Sequence, residues 1–198
     1  GTRIHNIGVR ATRPRAVVAI MREHADRPFT LVHSIFSGAC GLIAVVSARL
    51  LRVPVVIHVA GGELVALRDI GYGGMTTARG RLRERGTLSC ASLVTAASEP
   101  MVASLTSLGV PARKIPLGVD LNVWPPHPPR QREPGAPARL LHVASINRVK
   151  DQVTLLRALA ILKRENRKFH LDIIGEDTLQ GAMQRLAIEL QLSSNVTF

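Results

Sequence analysis

Short apolar runs rich in valine and isoleucine alternate along this chain with longer stretches of helical periodicity. Parallel strands cannot be joined by a tight turn and need a crossover, usually a helix, so this alternation points to parallel α/β architecture. Strands are expected over residues 30–33, 53–58, 92–96, 114–117, 140–145, 169–175 and 196–198. Helices are expected over 13–24, 38–51, 75–90, 99–108, 152–165 and 179–190. The strands lack strict apolar/polar alternation, the pattern expected when helices cover both faces of a sheet.

One segment breaks the rhythm. Six prolines fall within the fourteen residues from Trp124 to Pro137. Proline has no amide donor and a fixed φ, so this stretch is neither helix interior nor central strand. It reads as a linker over 125–137, after which the strand–helix pattern restarts. The expected organisation is therefore an α/β protein of two Rossmann-like lobes with parallel sheets, over 1–124 and 138–198. The chain begins Gly1-Thr2-Arg3 and ends on what reads as a strand just started, so both lobes are expected to be incomplete.

Composition narrows the function. The 198 residues are 46% hydrophobic but only 3% aromatic, a globular core of small aliphatics that argues against a stacking platform for single-stranded nucleic acid. The formal charge of +12 suits partners that carry phosphate: nucleotides, nucleic acid or an anionic membrane. Cys40 and Cys90 are isolated and read as reduced core thiols. No run approaches the roughly 18 consecutive apolar residues of a membrane span, and no signal-peptide layout opens the chain, which makes a cytoplasmic enzyme the default. Arg79, Arg81, Arg83 and Arg85 lie on one expected helix, and peripheral contact with the inner face of a membrane is a further expectation. At two-residue spacing they do not share one helical face.

Several strand ends carry residues suited to a site. His58 ends the run Val56-Ile57-His58 and is followed by Gly61, Gly62 and Glu63; an imidazole can donate to developing negative charge, and the glycines permit close ligand approach. His33 lies near the end of another run. In the second lobe, Arg148 and Lys150 follow the strand 140–145 just before a helix, where open α/β sheets bind anions. Gly175 and Glu176 follow the next strand, and Asp177 is placed to cap the helix after it. Pro116, Gly118 and Asp120 mark a reorientation of the chain between the lobes. There is no Gly-x-Gly-x-x-Gly, Walker loop, His-Glu-x-x-His or Cys-x-x-Cys, and no carboxylate cluster that requires a metal.

Taken in order, these elements resemble the family 4 retaining glycosyltransferases, whose B-type fold has two Rossmann-like lobes around a cleft. His33 looks like the histidine of that family's Asp-x-x-His strand end, with Thr30 in place of the aspartate. Residues 56–63 are similar to its His-Gly-x-Asp/Glu region, and Ala97-Ser98 ahead of a helix matches its Thr-x-Ser. Residues 115–120 with Trp124-Pro125 look like its Ile-Pro-Asn-Gly-Val-Asp…Phe-x-Pro lobe crossing. Residues 140–150 resemble Leu-x-Val-Gly-Arg-Leu…Lys-Gly, and 173–176 resemble Ile-Val-Gly-x-Gly.

The resemblance implies transfer of a sugar from a nucleotide-sugar co-substrate, with no other cofactor, to a sugar, polysaccharide or lipid-linked acceptor, with no nucleic-acid partner. By it, Lys150 and Arg148 would hold the donor diphosphate, Gly175 and Glu176 would border the donor, and His58 would be catalytic beside the reacting sugar. His33, Gly61, Gly62 and Glu63 would line the acceptor side, with Gly118 and Asp120 at the lobe crossing. Retention of configuration follows from the family. The departures are Ala144-Ser145 for Gly-Arg, Leu117 for asparagine and Asp151 for glycine. The family's paired glutamates, separated by seven residues, and its glycine-rich first strand–loop are both absent, so the resemblance implies an internal fragment that is inactive alone. Two other readings predict different behaviour: a non-hydrolysing sugar-nucleotide epimerase of the same fold, and a basic nucleic-acid-binding module whose binding would be strongly salt-sensitive.

Overall fold

A computed structural model describes residues 2–7, 12–129 and 133–198. The chain divides into two compact units, Gly1–Val123 and Trp124–Phe198. Part of the expected linker, residues 130–132, lies outside the described residues.

The first unit runs α1 (Thr12–Asp26), β1 (Val32–Ile35), α2 (Ala39–Leu51), β2 (Val55–Val59), two single 3-10 turns (Gly62–Leu64 and Arg68–Ile70), α3 (Ala78–Ser89), β3 (Leu93–Ala96), α4 (Glu99–Ser107) and β4 (Arg113–Lys114). Its sheet is parallel, with the strands in sequence order β1-β2-β3-β4. The second unit runs β5 (Ala138–Val143), α5 (Gln152–Arg164), β6 (Phe169–Ile174), α6 (Ala182–Glu189) and β7 (Val196–Thr197), again parallel and in order.

Right-handed crossovers between strands laid down in one direction place their helices on one side of the sheet. The cores follow from this. Val55, Ile57, Val59, Val94 and Ala96 meet Ala44, Ala48, Leu88 and Leu105 in the first unit, and Leu171 and Ile173 meet Leu156, Leu159 and Met183 in the second. The expected coverage of both sheet faces does not hold for the second unit. Leu141 and Val143 are 64% and 68% exposed, on the face that also carries Arg139, Asp172 and Ile174. Cys40, expected in the core, is exposed at the start of α2.

Element boundaries moved where local hydrogen bonding overruled periodicity. β1 begins two residues later than expected, since its ladder opens with the Val32 amide on the Pro54 carbonyl and closes with the Phe36 amide on the His58 carbonyl. His33 is therefore the second residue of the strand and not its end. β4 stops early: the Ile115 amide still reaches the Ala96 carbonyl, but Pro116 has no amide to continue. α3 starts at Ala78, where the Thr77 hydroxyl accepts from the Gly80 amide at 3.0 Å. α6 starts three residues late because Asp177 draws the preceding amides into a turn.

Leu156 is fully buried between α5 and the second sheet. Leu156→Ala is expected to lower the unfolding free energy by about 2–5 kcal/mol, read as a reduced urea midpoint at unchanged slope.

Candidate functional site

At the carboxyl end of β2, His58 is 7% exposed. Its Nδ1 shares a 2.9 Å hydrogen bond with Thr95 Oγ1 on β3, the residue directly across the ladder. Its Nε2 is buried with no hydrogen-bond partner. Thr95 thus sets the ring's orientation and leaves one nitrogen for something else. Nothing in the sequence pairs these residues; only the register between β2 and β3 does.

The chain leaving β2 is pinned immediately. The Glu63 carboxylate, itself buried, accepts from the Gly61 amide at 2.8 Å and the Ala60 amide at 3.4 Å. Gly62 has the Tyr72 ring packed where a Cβ would be, so a larger residue there would have to displace the tyrosine. Beside this turn, the fully buried Ser37 hydroxyl donates at 2.6 Å to Glu84, a buried carboxylate of α3 that also pairs with Arg83 at 2.9 Å. His33 lies on the same sheet face as His58, because it pairs with Val56 and Ile35 pairs with His58. It is exposed, and one ladder step back from the strand end.

In the second unit, the loops after β5 and β6 are sewn together beyond the sheet. The Ile146 amide donates to the Glu176 carbonyl at 2.8 Å, and the Thr178 amide and hydroxyl both donate to the Ile146 carbonyl, at 3.1 and 2.9 Å. Gly175 is where the two loops touch: a Cβ there would overlap the Ala144 carbonyl. Arg148 and Lys150, both exposed, ride on the first loop. Asn147 shapes it, its side-chain oxygen accepting from the Val149 and Lys150 amides, each at 3.1 Å. Gln152, 1% exposed at the start of α5, clamps the loop's other end, with Nε2 donating to the Ser145 carbonyl at 3.1 Å and lying 3.2 Å from His142 Nε2. The Glu176 side chain is exposed.

Asp177, expected to cap the helix, instead accepts from the Leu179 amide at 2.7 Å and the Gly181 amide at 2.8 Å in the turn ahead of α6, which carries no side-chain cap of its own. Those amides, the Leu179 one foremost, hold its carboxyl below the usual carboxylate range. At the lobe crossing, Asp120 accepts from the Asn122 amide at 2.9 Å, and a side chain at Gly118 would meet only open space, so no packing demand explains that glycine. Among the described residues, no group of three or more His, Cys, Asp or Glu side chains is placed to hold a metal ion. No helix among them is long and apolar enough to cross a membrane.

Asn147 was within reach of the sequence, since asparagine after a strand is a known turn former. Thr95 and Gln152 were not, because their roles depend on partners that only the fold supplies.

Two parallel α/β units, each with polar side chains gathered at the carboxyl ends of its strands, define a protein of the B-type glycosyltransferase fold. The chain belongs to the glycosyl transferase 4-like domain family, which it matches over residues 1–118; residues 126–198 match the glycosyl transferases group 1 family. Among solved structures, sucrose-phosphate synthase from Thermosynechococcus elongatus is similar with a TM-score of 0.68 at 19% identity, over 100% of this chain and 51% of that one. A glycosyltransferase from Rickettsia africae gives 0.62 at 13% identity, over 100% and 53%. A UDP-N-acetylglucosamine 2-epimerase from Rickettsia bellii gives 0.51 at 12%, over 98% and 52%. The chain thus spans about half the length of each, and at these identities the likeness carries the fold alone. No curated protein sequence matches it.

Two outcomes follow from the geometry. Gly175→Ala is expected to force the two loops apart and lower the Tm of the chain. Because Asp177 has a depressed pKa in the folded state, the stability it contributes is present above the unfolded carboxyl pKa and is lost as pH falls through the lower folded value. Asp177→Asn should flatten the acid side of a Tm-against-pH profile, and an unchanged profile would refute the assignment.

Proposed function

We propose that this chain carries the acceptor-side unit and the beginning of the donor-side unit of a retaining glycosyltransferase. The enzyme moves a sugar from a nucleotide-sugar donor to a hydroxyl of a sugar, polysaccharide or lipid-linked acceptor, in glycan, polysaccharide or glycolipid biosynthesis. The observation that carries the reading is the buried, unpartnered Nε2 of His58 at the end of β2. Leaving such a nitrogen unsatisfied costs about 1–3 kcal/mol, a cost that a ligand hydroxyl removes. Membership of the glycosyl transferase 4-like family supports transfer over both epimerisation and nucleic-acid binding.

Departure of a nucleoside diphosphate builds charge on its phosphates, and fixed cations and amides stabilise it. Lys150 and Arg148 take that role here, on a loop whose backbone Asn147 and Gln152 hold in place, with Gly175 and Glu176 bordering the donor. His58 meets the reacting sugar, and His33, Gly61, Gly62 and Glu63 belong to the acceptor side. The co-substrate is the nucleotide sugar, and no metal or other cofactor takes part. The setting is cytoplasmic. The exposed arginines of α3 provide peripheral contact with the inner face of a membrane, although Arg83 is paired with Glu84 and Arg81 with the Met75 carbonyl.

Titration calorimetry with UDP, GDP and ADP tests the donor loop: Lys150→Ala should weaken the best of the three about 10–100-fold. In the full-length enzyme, His58→Ala should reduce kcat for transfer about 100-fold with nucleotide affinity unchanged. Wild-type affinity in the first variant, or equal losses of affinity and kcat in the second, would overturn the roles.

A further inference from the structure

The hydrogen bond between His58 and Thr95 has a direction, and the surroundings of the two side chains decide it. The residues face each other across the β2–β3 ladder, both buried, with Nδ1 and Oγ1 2.9 Å apart. A neutral imidazole carries one proton, on Nδ1 or on Nε2, and a hydroxyl can donate or accept. Either Thr95 donates and the ring proton sits on Nε2, or Nδ1 donates and Nε2 is left with a bare lone pair.

The two arrangements differ in what they leave unpaired. Thr95 is 2% exposed, and its hydroxyl makes no other hydrogen bond among the described residues. If Nδ1 donated, the hydroxyl proton would have no acceptor and Nε2 no donor, which leaves two buried groups unsatisfied. If Thr95 donates, its proton lies on Nδ1 and only the Nε2 proton is unpaired. Buried polar groups are seldom left without partners, so one orphan is favoured over two. Neither side chain is free to evade the choice. Threonine is β-branched and stiff at χ1, and its strand is paired on both edges, with β2 and β4. His58 is gripped in the same way between β1 and β3.

The direction matters chemically. A lone pair on Nε2 suits a hydroxyl that gives up its proton as it attacks, the work of a general base. A proton on Nε2 suits an oxygen that accepts, above all one that gains negative charge.

We propose that Thr95 is a positioning residue: it donates to His58 Nδ1, holds the ring proton on Nε2, and makes His58 a hydrogen-bond donor and not a general base. That the oxygen it meets gains charge during sugar transfer rests on the glycosyltransferase reading; the direction of the Thr95 bond does not.

Long-range proton–nitrogen NMR correlation of the histidine rings reads which nitrogen holds the proton, on the isotope-labelled chain at about pH 8, above the ordinary imidazole range. The His58 ring is identified by the signals lost in His58→Gln. Its Nε2 should resonate as a protonated nitrogen and its Nδ1 as a bare one. Thr95→Val keeps the branched shape without the donor and should move the Nδ1 resonance, and Thr95→Ser should return it. A proton on Nδ1 or on both nitrogens overturns the proposal, as does an Nδ1 resonance that Thr95→Val leaves unchanged. In the full-length enzyme, Thr95→Val should lower kcat for transfer about tenfold with the donor KM unchanged, and Thr95→Ser should recover most of the loss. The expected ring spectrum together with wild-type kcat in Thr95→Val upholds the bond and counts against the place of His58 in transfer.

Discussion

Amides that run past the end of a parallel strand lose their ladder partners and must find others, since an unpaired buried amide costs as much as a lost hydrogen bond. Almost every feature of the two candidate regions answers that demand. Phe36 turns its amide onto the His58 carbonyl, Glu63 gathers the amides of Ala60 and Gly61, Asn147 those of Val149 and Lys150, and Asp177 those of Leu179 and Gly181. Where no side chain serves, the loops after β5 and β6 satisfy each other. The polar side chains at these strand ends are thus first of all the means by which the sheets can stop.

The same demand separates the two units chemically. Around the ends of β1 and β2 the protein sets carboxylates of its own, Glu63 on the turn amides and Glu84 on the Ser37 hydroxyl ahead of α2. After β5 the amides are satisfied by a neutral carboxamide, and the exposed charges on the loop are Arg148 and Lys150, with Asp151 at the start of α5. The two sets of strand ends thus differ in local charge, a division that net charge, positive over both, does not reveal.

Much of the fold was legible because βαβ units write themselves in hydrophobic periodicity: among the described residues, each of the seven strands and six helices lies close to its expected position. Boundaries slipped where a single hydrogen bond decided them, as at Asp177 ahead of α6 and Pro116 after β4. The candidate site was legible as residue types at strand ends, His58 and Lys150 among them. It was not legible as geometry. That His58 is oriented by Thr95 depends on strand register, and that Gly175 must be glycine depends on the Ala144 carbonyl some thirty residues earlier.

The bond from Ile146 to Glu176 has a kinetic side. It ties the loop bearing Lys150 to its neighbour, with Asn147 bracing one part and Gln152 another, so the loops should open and close as one cooperative unit. The entropy of ordering them is lost when the unit folds and not when a ligand arrives. Any ligand that meets this loop encounters a formed surface, with no slow rearrangement to wait for.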